Sequence, residues 1–276
     1  MKDVALSVRR PAALIGLGLL EAVPGEAIEK IAEENGGEVS RVGDAVGRFG
    51  WKASQPTVRA QIKDALLNDM GVRADGRQAL DVAAGSGAVS LGKGVLDEAA
   101  LDKLEAYTVL LGVPPRNDPE GERIVAGERV FGQLGCASCH QPTLRTGASD
   151  FVELANQTIH PYTDLLLHDM GEGLADEGRG EMARKWRTAP LWGLKNARDA
   201  TAAAQAQFRA GDTEVTYEQT HAASAAGRVQ LLHDGRARSL AETILWHGGA
   251  AAESVKRYKA LTREDREALE AFLWDL

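Results

Sequence analysis

The sequence predicts a mainly α fold with long irregular connections, and three observations lead to it. Helix-spaced positions recur, as at 101, 104, 108 and 111 in the stretch Leu96–Leu111. Helix start and stop residues bracket several such stretches. Strand-like alternation is scarce, and aromatic residues make up only 5% of the chain.

In chain order, Pro24-Gly25 opens a helix through Glu34. Its first turn holds Glu26, where the helix dipole favours negative charge, and Gly36-Gly37 closes it. Gly47 to Lys52, rich in glycine and aromatic residues, reads as a shaped loop. Ser54 or Thr57 caps a helix through Val58, Ile62 and Leu66 to Met70, and Gly71 stops it. Residues 72–95, rich in Gly, Ala and Ser, read as loop, and Leu96 to Leu111 as helix. The prolines at 114, 115 and 119 break the pattern and mark a domain boundary, giving units of 1–115 and 116–276. A helix from Glu120 to Leu134 runs into the cysteine pair, and a last helix runs from Thr262 to Leu276.

With 44% hydrophobic and 26% charged residues, the chain is an ordinary globular protein rather than a disordered or fibrous one. Its formal net charge of −8 argues against nucleic acid or an anionic membrane as main partner and suits a basic electron-transfer partner. Arg9-Arg10 and the apolar run to Leu20 resemble a twin-arginine export signal. The run is too short to span a bilayer, and Glu21 with Val23-Pro24-Gly25 departs from a cleavage site, so the reading is a buried helix or loop without a convincing signal peptide. No other stretch is suited to a membrane span.

The only two cysteines stand in Cys136-Ala137-Ser138-Cys139-His140, the Cys-x-x-Cys-His haem attachment signature. Two residues between the thiols let both reach the vinyl groups on one porphyrin edge, and the next residue sets its imidazole under the iron. The expectation is one covalent haem c on Cys136 and Cys139, with His140 as proximal iron ligand and Phe131 packed on the macrocycle. A thioredoxin-like motif would need a βαβ context, and a zinc site would need two further ligands from histidines alone. The opposite iron ligand is open among His160, His168, His221, His233, His247, Met70, Met170 and Met182.

The blocks Trp186 to Leu194, Leu232 to Ala237 and Leu240 to Ile244 resemble the second haem domain of bacterial di-haem cytochrome c peroxidases. Leu14 to Pro24, Gly47 to Ala53, Pro161 to Gly171 and Leu245 to Gly249 resemble the related di-haem oxidoreductases often labelled thiol oxidoreductases. The resemblance runs nearly end to end. It implies a cytochrome c-like mono-haem domain at 116–276, preceded by a partial N-terminal and interdomain α-rich region at 1–115. It also implies His247 as second iron ligand, with Met170 as alternative. His233, Arg187 and Arg236 are placed near haem propionates, and Trp51 becomes a candidate electron relay. Relatives hold calcium between their haems, but no acidic loop here supports assigning it.

The family's first Cys-x-x-Cys-His lies upstream of the block at which this chain begins. Either Met1 is a false start or the first haem is lacking. The implied function is a haem oxidoreductase, peroxidase-like or thiol-oxidising, served by a small redox protein and located in the periplasm. The alternatives are a non-catalytic electron-transfer cytochrome and a haem-free remnant.

Overall fold

The computed structural model describes residues 7–74, 96–177, 180–196 and 229–276. Among them the structure is mostly helical. Eight helices run in chain order: α1 (Leu17–Glu21), α2 (Gly25–Asn35), α3 (Val58–Met70), α4 (Glu98–Val109), α5 (Glu122–Leu134), α6 (Leu240–Trp246), α7 (Ala252–Ala260) and α8 (Arg263–Asp275). The capping chemistry works as the sequence suggests. Thr57 accepts from the Ala60 N–H and Thr262 from the Asp265 N–H, while Gly36 and Gly71 close α2 and α3 in the left-handed conformation.

The C-terminal end of the run read as a signal-like segment lies inside the protein, while residues 11–14 before it are exposed. Leu17 and Leu20 of α1 are buried with Val23, and the carbonyls of Leu20, Glu21 and Val23 all accept from Nη1 of the buried Arg48. That contact explains the shape of the loop after Gly47: it carries a cation to the carbonyl end of α1.

Three short antiparallel ribbons, which the sequence did not suggest, complete the frame. They pair β1 (Arg41–Val42) with β2 (Ala45–Val46), β3 (Leu144–Arg145) with β4 (Thr158–Ile159), and β5 (Leu167–Asp169) with β6 (Lys185–Arg187). In the last, Leu167 faces Arg187, His168 faces Trp186 and Asp169 faces Lys185.

Two apolar clusters fill the interior. One gathers α1 to α4 with Leu144, Leu154, Ile159, Leu165, Leu166 and Trp192. The other packs α5 against α8, with Tyr162, Leu231, Leu240 and Tyr258. Gly127 makes the α5–α8 approach close, since a Cβ there would lie 2.1 Å from the Ala268 carbonyl oxygen. No helix among the described residues is long and apolar enough to cross a membrane.

Candidate haem site

The cysteine pair follows directly from the end of α5. Gly135 turns left-handed at φ 83°, and Cys136–Ser138 form a single 3-10 turn closed by the His140 N–H donating to the Cys136 carbonyl at 2.9 Å. Cys136 packs on the second apolar cluster, and burial pushes its thiol up to about 11. Both cysteines are free thiols. From α2, Asn35 Nδ2 donates to the Ser138 carbonyl at 2.5 Å, tying the turn to the N-terminal half.

His140 Nδ1 lies 3.0 Å from the Tyr162 carbonyl. A carbonyl only accepts, so this nitrogen carries the proton and Nε2 keeps its lone pair, the tautomer that a metal ligand needs. His247, the residue that ends α6, has the same arrangement, with Nδ1 2.7 Å from the Thr243 carbonyl. Burial pushes the His140 imidazole down to about 4, and the charge of His247 adds to the effect. Burial also lowers His247, against the hydrogen bond to Thr243. Both rings are therefore neutral at neutral pH, and each has one nitrogen unprotonated. Phe131 lies beside this site, its ring 6.3 Å from His140, 5.9 Å from Tyr162 and 5.4 Å from Phe272.

The other sequence candidates for the iron fall elsewhere. Met70 and Met182 are exposed. His160 is exposed and sits 3.1 Å from the Thr143 hydroxyl. His221 lies outside the described residues. His233 stacks on Trp186 at 3.6 Å, and burial pushes it down to about 4. Met170, the residue after β5, abuts the His247 loop: a Cβ on Gly248 would lie 2.8 Å from the Met170 carbonyl oxygen.

Arg187 is buried at 6% exposure. Its Nε donates to the Gly50 carbonyl at 2.8 Å and its Nη1 to the Thr188 carbonyl at 3.3 Å. Burial pulls its guanidinium down to about 10, and the one carboxylate that offsets this, Asp164, acts through charge without an ion-pair contact. A buried cation satisfied only by carbonyls is suited to an anionic group such as a haem propionate. Arg236 is held differently, with Nε on Asp234 at 2.6 Å and Nη1 on the Gly173 carbonyl at 2.6 Å. Trp51 is half-buried; its indole N–H donates to the Arg10 carbonyl at 2.7 Å, and its own carbonyl accepts from the Arg187 N–H at 2.9 Å.

The sequence reading missed the segment 161–168 as a builder of the site. Tyr162 and Leu165 adopt left-handed backbone angles of φ 54° and 63°, unusual for residues with side chains. The Thr163 hydroxyl, donating to the Thr188 carbonyl at 2.6 Å, and Asp164, accepting from the Leu166 N–H at 3.0 Å, hold the segment in place. It thereby presents the Tyr162 carbonyl to His140 and the Asp164 carboxylate to His168, 2.8 Å from Nε2. Burial opposes charge on His168, but hydrogen bonding to Asp164 and Cys139 outweighs it and pushes the imidazole up to about 10. The signal available was Tyr162-Thr-Asp164 four residues before His168, read only as part of a family block.

Two unoxidised thiols, two neutral imidazoles with free Nε2 atoms and a buried guanidinium hydrogen-bonded to carbonyls fit a haem with carboxylate side chains. No curated protein matches the chain. Among solved structures, a chain of Kuenenia stuttgartiensis hydrazine synthase pressurised with xenon aligns at 15% identity, covering 100% of this chain and 94% of that one, with a TM-score of 0.37. The family described as "Di-haem oxidoreductase, putative peroxidase" matches residues 1–221 and 204–276. Matched along its whole length, with residues that suit the cofactor named in that description, the chain belongs to the di-haem oxidoreductase family.

Proposed function

We propose that this chain carries one c-type haem, attached through Cys136 and Cys139, with His140 and His247 as its two iron ligands. It serves as the electron-transferring second haem module, cytochrome c-like over residues 116–276, of a periplasmic peroxidase-like or thiol-oxidising oxidoreductase. One observation carries the reading. Two imidazoles far apart in sequence come near one another, each with Nδ1 occupied by a backbone carbonyl and Nε2 left as the ligating atom.

When bound, haem supplies one-electron redox chemistry. The chain's own residues set its conditions. The Tyr162 and Thr243 carbonyls fix both ring tautomers and raise the basicity of the ligating nitrogens. Phe131 closes one side with apolar surface, and Arg187 offers a buried positive charge to a propionate. Trp51, one backbone hydrogen bond from Arg187, would serve as the relay to a partner redox centre. With His140 and His247 both holding the iron, the chain would leave peroxide no place on it, and the bound haem would supply electron transfer. That favours an electron-transfer role over substrate turnover at this haem.

The test is an absorption spectrum, oxidised and reduced, of the chain exported with a haem c maturation system, beside His247→Ala. A low-spin spectrum that becomes high-spin in the variant supports the reading. A high-spin unmodified protein overturns the His247 assignment, and a chain without covalent haem overturns the whole reading.

A further inference from the structure

His168 is not used as an iron ligand in this reading, yet its ring is fixed on three sides. Nε2 lies 2.8 Å from the Asp164 carboxylate, which is wholly buried. Nδ1 lies 3.6 Å from Cys139 Sγ. The backbone of Gly37 closes on the ring edge, since a Cβ there would come 2.7 Å from Cε1. The ligand atoms of Cys139, Asp164 and His168 lie within 4.8 Å of one another, a spacing compatible with metal ligation. The imidazole, however, stands between the other two, with one nitrogen on each. A single ion would have to displace one of these hydrogen bonds to gather all three, so the cluster is a relay in geometry. Asp164 accepts the Nε2 proton, and the Nδ1 edge of the same ring faces the sulfur.

We infer that His168, braced by Asp164, is a positioning residue for thioether formation at Cys139. The inference rests on the reading that haem is attached at Cys136 and Cys139. In that addition the thiol S–H and the π bond of a haem vinyl group are lost, a C–S bond forms at one vinyl carbon and a C–H bond at the other. No electrons are gained or lost overall.

Both sulfurs must meet vinyl groups on one porphyrin edge, and the chain holds them by different means. Cys136 is fixed by packing on the second apolar cluster at the end of α5. Cys139 follows the 3-10 turn, outside that cluster, and its sulfur lies against His168. The strained segment carrying Asp164 and the close approach of Gly37 keep the ring from turning away. Without His168, Cys136 keeps its place and Cys139 does not.

The experiment exports the full chain with a haem c maturation system, as unmodified protein, His168→Gln and Asp164→Asn. Two readouts separate the sulfurs: mass spectrometry of the alkylated haem peptide, and the pyridine haemochrome band, which moves to the red when one vinyl group stays unsaturated. The expected result is haem on both sulfurs in the unmodified chain and on Cys136 alone, with an alkylated Cys139, in most of the His168→Gln product. Attachment at Cys139 should slow by about tenfold to a hundredfold, the scale on which misplacing a reacting atom slows a step. Asp164→Asn should shift the same way, by less. Two thioethers at unmodified yield in both variants would overturn the inference. So would equal loss at both sulfurs, which would make His168 a residue of the fold. An unmodified chain without covalent haem removes the underlying attachment reading instead, which separates the two failures.

Discussion

A proton on His247 raises the cost of a proton on His140, although the chain between them runs from residue 141 to residue 246. The relationship predicts what a change of ligand does. His247→Met should keep a six-coordinate, low-spin spectrum and raise the reduction potential, because a thioether ligand favours the reduced iron more than an imidazole does. His247→Gly should turn high-spin, and added imidazole should restore the low-spin spectrum. Potentiometry and an imidazole titration check both. A His247→Gly spectrum that stays low-spin without added imidazole would move the ligand to Met170, whose backbone lies against the same loop.

Arg187 predicts a difference between haem-loaded and haem-free protein. In both forms Arg187→Leu removes the hydrogen bonds to Gly50 and Thr188, worth about 1 kcal/mol each. In the loaded form it also strands a buried propionate, at about 3–5 kcal/mol. Urea unfolding of chain matured in the periplasm and of haem-free chain made in the cytoplasm should show the larger loss in the former. Equal losses would make Arg187 a purely structural cation.

Gly127 predicts that the floor of the site depends on one close helix contact. Gly127→Ala would set a methyl group 2.1 Å from the Ala268 carbonyl oxygen and 2.6 Å from Phe272 Cβ. Backbone atoms yield little, so α5 and α8 must separate, at a cost of about 1–3 kcal/mol. Phe272 touches Phe131, which lies beside His140, so the strain reaches the ligand. A lower urea midpoint with a broadened haem spectrum is expected; an unchanged midpoint would show that the helices can shift freely.

Much of this was readable along the chain where local chemistry decides. Thr57, Thr262, Gly36 and Gly71 announce helix ends because caps act within a few residues. Cys136 to His140 carry the spacing that one edge of a porphyrin would set, and the proposal of covalent haem starts from it. The ribbons were hidden because strands of two or three residues carry no period. The role of His168 was hidden because it depends on contacts with Cys139 and Gly37, which only the fold brings together. Arg236 shows the converse: its place in the His-Asp-Gly-Arg block suggested a propionate, but its neighbour Asp234 engages it.

Asp176 predicts how the N-terminal segment is fastened. Burial works against its charge, but hydrogen bonds from Arg9 and Ser7 and the charges of Arg9 and Lys52 hold its carboxyl down at about 2. Arg9 grips it at both oxygens, at 2.9 and 2.7 Å. The folded value lies below the ordinary 3.8, so the stabilisation is complete above that value and fades as pH falls through it toward 2. A shift of that size corresponds to about 2 kcal/mol. Asp176→Asn should therefore lower stability by about that amount at pH 7. The gap between variant and unmodified protein should narrow as unfolding is measured below pH 4, because the unmodified side chain then becomes neutral in the unfolded state. The same cations lie over Trp186, Lys52 at 3.3 Å and Arg9 at 4.7 Å from its ring centre, and that ring stacks on His233. Loss of the carboxylate should free them to move, so tryptophan fluorescence should change together with stability. A variant as stable as the unmodified protein at pH 7 would mean that solvent replaces Asp176 without cost, and that the segment ahead of α1 is held without it.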